Sequence, residues 1–469
     1  MSAQHIGNDE QDVPAYSQFQ HYILGFITLI AGLLRSINLG TWSFATDEIF
    51  TLQNAQHLHT DPFNYRALVE HPITSSFVLF IIETFGLQEW AARLAPAIIG
   101  TVSIPIIYYL VKKAAGVHIA LLTSLMLALS PWHLFWSQTT RFYILLLLLY
   151  TIGLFTFYWG IEKNSTFILA GAVLWIALAV SERLLALMWG PVIVVYIMFL
   201  AVLPFEKPVG FNLKNLTFLL IPGFILGLIF AWDFVRDPML WQKLYFSWIG
   251  RGPFDVFWEY IKGIDVHIAL LAVLGVFYGW RTQNRLILLL TFNVAVPLII
   301  LMIASQFQFT HNRYLFITIV GSFVLAAYGA AWLVKDVFKG SCIVAAFVGV
   351  IILLIPIQDQ VDYHMKLNGW RIDWKSGFSY VMDHADEDAL VMSNNVDVGG
   401  VYAGMGVVGL DSRETAVSQI NASQKQTWFV ISGTARLDPA MYKWITENGT
   451  LVYTLPTKVE IFNYQPAAQ

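Results

Sequence analysis

The sequence predicts a polytopic, all-α membrane protein with a small α/β domain at its C-terminal end, and three observations lead there. Only 12% of the 469 residues are charged while 57% are hydrophobic, whereas soluble domains carry about a quarter charged residues. So few charges cannot cover a soluble surface of this size. Apolar stretches recur from Tyr22 to Pro356, several of them near the roughly 20 residues a helix needs to cross the hydrocarbon core. From Gln358 onward, short strand-like runs alternate with helix-like segments instead.

Eleven spans are predicted, near 21–39, 91–111, 118–135, 143–161, 167–181, 187–204, 215–233, 266–280, 286–304, 314–334 and 341–357. One set of short connections carries Lys112, Lys113, Lys163, Lys207, Lys214, Arg281, Arg285, Lys335 and Lys339. The positive-inside rule puts that set in the cytoplasm. Residues 1–20 are polar and acidic, without the basic flank or cleavage-like site of a secretory signal, and read as a cytoplasmic tail. Residues 21–357 then form the membrane module, with external loops 40–90 and 234–265, and residues 358–469 form an external domain. The segment Ile73 to Gly86 has an apolar core too short to span and is expected to be an interfacial helix. Loop 234–265 holds Trp241, Tyr245, Phe246, Trp248, Phe254, Phe257, Trp258 and Tyr260, aromatic side chains suited to the headgroup layer.

In the C-terminal part, strands are predicted at Leu390–Met392, Trp428–Ile431, Leu451–Thr454 and Val459–Phe462, with helices near 373–385 and 439–447. Asp438 before Pro439 is a good helix start. The lone cysteine, Cys342, sits in an apolar run and says nothing about compartment, and the net charge of −4 says little about partners.

Candidate chemistry gathers at the external ends of the spans. Thr46-Asp47-Glu48 follows the first span; as residue types alone, Thr46 or Asp47 equally suits the capped start of a helix through Ile49, Leu52 and Ala55. Gln138, Arg141 and Tyr143 follow the third span, in Ser137-Gln138-Thr139-Thr140-Arg141-Phe142-Tyr143. Arg93 and Arg313 stand at the outer starts of the second and tenth spans. An outer arginine often only snorkels, but three of them on the less basic side run against the topogenic bias and favour an anion at headgroup depth. His71 precedes Pro72. Glu182 and Arg183, at the outer end of the fifth span, are read as pairing with one another. No cluster has metal-ligand spacing and no glycine-rich nucleotide loop is present, so no cofactor is assigned, and a divalent metal stays open without support from ligand spacing.

Taken in order, Asp47-Glu48, His71-Pro72, Glu89-Trp90-Ala91-Ala92-Arg93-Leu94-Ala95-Pro96, Leu127-Ala128-Leu129-Ser130-Pro131, the Gln138–Tyr143 motif and Arg313-Tyr314-Leu315 resemble the glycosyltransferase-C (GT-C) superfamily. Protein O-mannosyltransferases and aminoarabinose-type transferases are the most similar types. The resemblance implies a GT-C-like fold, a polyprenyl-phosphate sugar donor, an external acid as catalytic residue and inversion at the anomeric carbon. Ile73 stands where the family often has a second proline, and Thr139, Thr140 and the apolar run Ile144–Leu149 stand where many relatives carry an acid. A two-carboxylate metal site is therefore not expected.

On this basis Asp47 is the expected catalytic base, with Glu48 assisting, while His71, Arg93, Gln138, Arg141, Tyr143 and Arg313 are the expected substrate-binding residues. The expected partners are the lipid-linked donor, a glycan, lipid or protein acceptor, and membrane lipids, but not nucleic acid; the expected location is the plasma (inner) membrane. A transporter or flippase of lipid-linked sugars is the main rival, yet internal repeats and mid-membrane ionisable residues are missing from the pattern. A non-catalytic cell-envelope assembly partner is the other rival.

Overall fold

Helices lie on each of the eleven apolar stretches, as they must where hydrocarbon offers no partner to a backbone N–H or C=O. The computed structural model describes residues 14–60, 71–236, 252–307, 310–404, 406–410, 412–433 and 437–466. After α1 (Pro14–Ser36), the first long connection carries α2 (Thr46–Thr60) and α3 (Pro72–Phe85). The membrane module continues through α4 (Glu89–Ala115), α5 (Val117–Leu129), α6 (Pro131–Ser137), α7 (Tyr143–Glu162) and α8 (Thr166–Glu182). A 3-10 turn at Leu184–Met188 runs into α9 (Trp189–Val202), followed by α10 (Leu213–Arg236), α11 (Pro253–Ile264), α12 (Val266–Thr282) and α13 (Arg285–Ala304). Another such turn, Asn312–Thr318, opens α14 (Ile319–Trp332), and α15 (Cys342–Met365) closes the module.

Six of the described helical runs are long and apolar enough to cross a membrane, and two bent pairs raise the number to eight. α5 and α6 meet at 63°, α11 and α12 at 97°. Pro131 accounts for the first bend, because it cannot continue the hydrogen bonding of α5, and the Ser130 hydroxyl caps the new helix by accepting the His133 amide at 3.3 Å. α12 and α14 approach through glycines. A Cβ on Gly275 would lie 1.9 Å from the Leu325 carbonyl oxygen, and one on Gly329 the same distance from that of Leu271. Small residues at such crossings let two backbones touch.

α3 has 14 residues and buries Thr74, Ser75, Val78 and Ile81 while exposing Phe80; it is too short to cross a bilayer. Of the aromatic loop, Trp241, Tyr245, Phe246 and Trp248 lie outside the described residues. Its other aromatic residues lie on α11, with Phe254 and Trp258 exposed. Tyr260 departs from the expected surface role: it is buried, and its hydroxyl meets those of Thr318 at 2.8 Å and Ser322 at 2.6 Å.

The expected boundary at residue 358 falls inside α15, which continues to Met365. Beyond it stand α16 (Trp374–His384), β1 (Leu390–Ser393), α17 (Val396–Ala403), β2 (Val408–Gly409), α18 (Arg413–Ser423), β3 (Thr427–Ser432), α19 (Pro439–Asn448), β4 (Thr450–Thr454) and β5 (Val459–Tyr464). The strands order as β2-β1-β3-β5-β4. β1 runs parallel to β2 and β3, while β5 is antiparallel to β3 and β4. Asp438 caps α19 as expected, accepting the Ala440 amide at 2.9 Å. α17, β2 and α18 were not anticipated, being short and weakly periodic. One apolar core joins this domain to the first connection: Phe44, Ile49, Leu52 and Ala55 pack with Trp374, Phe378 and Val398.

Candidate active site

The two acids at the start of α2 have opposite surroundings. Glu48 is fully buried. Its carboxylate accepts Arg93 Nε at 2.9 Å and Nη2 at 2.8 Å, the Ala45 amide at 2.9 Å and the Thr140 amide at 2.9 Å. A buried charge pair is tolerated when the geometry is two-pronged and the spare lone pairs are used, and both conditions hold here. Burial by itself would raise the Glu48 carboxyl, but Arg93, Arg371 and the Thr140 amide outweigh it and hold it at about 2. This group is an anchor that stays ionised, with no room to take up a proton from substrate.

Arg93 is equally committed. Besides Glu48 it donates to the carbonyls of Leu39 at 3.2 Å, Trp42 at 2.7 Å and Ser43 at 2.8 Å, with no exposed surface. The expectation that Arg93 faces an anionic substrate is therefore corrected: its donors organise the chain that leads to Asp47. Gln138 has a similar fate. Its amide donates to the carbonyls of Leu34, Arg35 and Ile37 at 3.3, 3.1 and 2.8 Å, closing the end of α1, and its oxygen accepts the Tyr363 hydroxyl at 3.0 Å. Those bonds leave it no free group for substrate.

Asp47, by contrast, keeps 34% of its side chain exposed. Its carboxylate forms an ion pair with Arg313 Nη1. Arg141 Nη1 donates to the Asp47 carbonyl at 2.9 Å and to the Thr51 hydroxyl at 3.1 Å. The Nε groups of Arg141 and Arg313 are buried and have no hydrogen-bond partner among the described residues. Such orphaned donors are rare in proteins. Three segments far apart in the chain thus converge: the start of α2, the turn before α7 and the 3-10 turn before α14.

His71 lies beside them, 2% exposed and stacked on Phe142 with ring centroids 3.9 Å apart. Its Nδ1 reaches the Glu182 carbonyl, which can only accept, so Nδ1 carries the proton. Burial, together with Arg141 and Arg183, pushes the ring down to about 3 despite that bond. His71 is therefore neutral and offers no positive charge to a phosphate. Tyr143 is buried, its ring 4.1 Å from that of Trp136 and 4.2 Å from that of Phe142.

The expected pairing of Glu182 with Arg183 is not what forms. The Glu182 carboxylate turns inward to the start of α3, accepting the Ile73 amide at 2.8 Å and the Thr74 hydroxyl, where an acid complements the helix dipole. Arg183 lies over the ring of Phe142 at 5.6 Å, and the Arg141 guanidinium is 5.0 Å from the same ring.

Arg371 was missed altogether. It donates to the Gln138 carbonyl at 2.7 Å and the Thr139 hydroxyl at 2.8 Å, and lies over the rings of Trp42 at 5.2 Å and Phe135 at 5.0 Å. An arginine just past the last predicted span, on the side the charge bias predicts to be external, was the available signal. Among the described residues no group of three or more His, Cys, Asp or Glu side chains could hold a metal.

The arrangement, a carboxylate about a third exposed beside two guanidinium groups with spare donors, can take a proton on one side and stabilise a departing anion on the other. The family model of dolichyl-phosphate-mannose-protein mannosyltransferases matches residues 70–210. No curated protein matches the sequence. Among solved structures, ArnT from Cupriavidus metallidurans in the apo state is similar at 14% identity with a TM-score of 0.61, covering 96% of this chain and 98% of that one. The same protein bound to undecaprenyl phosphate gives 13% and 0.57, with the same coverage. The oligosaccharyltransferase of Archaeoglobus fulgidus, tethered to an acceptor peptide, gives 11% and 0.59, over 96% of this chain and 74% of that one. The family match covers under a third of the chain, and the solved structures share its multi-helical membrane fold.

Proposed function

We propose that this protein transfers a sugar, with inversion, from a polyprenyl-phosphate donor to an acceptor on the extracytoplasmic side of a bacterial plasma membrane. The observation that carries this reading is the convergence of Asp47, Arg141 and Arg313. A sugar linked through phosphate leaves as a phosphate anion, so no general acid is needed at that oxygen and fixed cations suffice. Arg141 and Arg313 supply them, with forked donors that match phosphate oxygens. As the donor phosphate engages Arg313, that guanidinium loosens its hold on Asp47. The freed carboxylate then accepts the proton of the attacking hydroxyl, and the new glycosidic bond forms on the face opposite the departing phosphate.

The lipid nature of the donor is supported by the relative seen with undecaprenyl phosphate. The sidedness is supported by charge: Lys112 and Lys113 stand at the end of α4 remote from Glu89 and the C-terminal domain, and the positive-inside rule makes the lysine end cytoplasmic. An eleven-span topology with residues beyond α15 outside follows from the same rule.

The test is to incubate purified protein with radiolabelled polyprenyl-phosphate sugars and candidate acceptors, following the anomeric configuration of the product. Transfer with inversion is expected for one donor. Turnover of nucleotide sugars instead, or a product with retained configuration, would overturn the reading.

A further inference from the structure

The C-terminal sheet has a switch point. From β1 the chain crosses to β2 on one side, then through α18 to β3 on the other, so strand order reverses at β1. In open α/β sheets the loops at the carboxyl ends of such strands form the crevice where ligands bind. Here the loop leaving β1 grips the protein's own chain. Asn395, two residues past β1, donates its side-chain amide to the Thr46 hydroxyl at 2.9 Å. Tyr402, on α17, accepts the Phe44 amide at 2.7 Å and donates to Glu89 at 3.1 Å. Lys375 holds the same Glu89 oxygen at 2.8 Å.

The gripped residues are Phe44 and Thr46, immediately before Asp47. Glu48, on its other side, is tied to Arg93 of α4. Asp47 is therefore a partly exposed residue in a turn whose flanks are fixed by two different bodies.

We propose that the C-terminal domain is a working part of the catalytic centre, with Asn395 and Tyr402 acting as positioning residues for Asp47. This rests on Asp47 being the base. Neither contact touches Arg141 or Arg313 directly, so losing them displaces the acid first and reaches the donor's phosphate site only through Asp47, while Arg141 keeps its bond to the Thr51 hydroxyl. Small displacements of a catalytic group are costly: a misplacement of about 1 Å can lower the rate by about 100-fold.

The experiment uses the full-length protein with donor and acceptor, comparing Asn395→Ala, Thr46→Val, their double variant, Tyr402→Phe, Thr46→Ser and Asp47→Asn. Asn395→Ala and Tyr402→Phe are expected to lose about ten-fold or more in kcat, with the donor KM within about two-fold of wild type. The double variant should be no worse than Asn395→Ala alone, since both remove one bond, and Thr46→Ser, which keeps the hydroxyl, should retain wild-type kcat. If Asp47→Asn is inactive while Asn395→Ala and Tyr402→Phe keep wild-type kcat, or if the Thr46 and Asn395 losses multiply, the positioning role is overturned and the base assignment stands. A near-wild-type Asp47→Asn would instead overturn the base assignment, and this proposal with it.

Discussion

The Glu48 carboxylate and the Arg93 guanidinium meet in two parallel bonds of 2.9 and 2.8 Å, wholly out of solvent, while Asp47, one residue earlier, remains a third exposed against Arg313. Adjacent acids in one helical turn point about 100° apart. One is thereby committed to holding the chain and the other to facing the site.

Asp47→Asn keeps the size of the side chain, so expression and thermal stability should stay close to wild type. Transfer should fall by about two to four orders of magnitude, the range for losing a positioned general base. Steady-state kinetics with donor and acceptor check it; turnover within a few-fold of wild type would return the residue to a helix-capping role.

Arg141→Lys and Arg313→Lys retain a charge but lose the fork, so donor affinity should weaken in both. Equilibrium binding of polyprenyl phosphate measures the loss. A lipid-bound structure with its phosphate beyond reach of both side chains would refute the assignment.

Arg93→Met leaves Glu48 buried without its partner, a loss of about 3–5 kcal/mol for a pair of this kind. The variant should fail in stability before it fails in donor recognition, which thermal melting and lipid binding on the same sample separate. Retained stability with lost donor binding would restore Arg93 to a substrate role.

Glu48 also sets an acid limit. Its folded value of about 2 lies below the ordinary 4.5, so its contribution is fully present above about 4.5 and is lost as pH falls through about 2. Glu48→Gln should be less stable at neutral pH, with a flatter melting profile between pH 5 and 2. Parallel profiles for variant and wild type would count against an ionised Glu48.

For topology, a reporter fused after Gln358 should be extracytoplasmic and one near Lys113 cytoplasmic. Both on the same side would reject the proposed orientation.

The helices were legible because a run of apolar residues long enough to span has few other places to be, and β3 and β5 because short runs rich in β-branched and aromatic residues suit strands of a buried sheet. The candidate site was legible as a set of positions but not as a set of roles. Arg93, Arg141 and Arg313 look alike in sequence, each an arginine at an outer boundary. What separates them is their partners: Glu48 and three carbonyls for Arg93, Asp47 for the other two. Gln138 was misjudged for the same reason, since the carbonyls it caps lie about a hundred residues earlier. Asn395 and Arg371 gave no local pattern at all; their meaning comes from contacts 349 and 233 residues away.

Tyr363 and Arg371 are threaded into the same knot as Gln138, Thr139 and Trp42. A cut where composition changes, at residue 358, would pull that knot out of the membrane part. A cut for exchanging the C-terminal domain therefore lies beyond Arg371, and a graft would also have to bring its own grip on Phe44 and Thr46. A graft of the C-terminal domain alone should therefore leave Phe44 and Thr46 without their partners, so the two parts can be exchanged only as a pair.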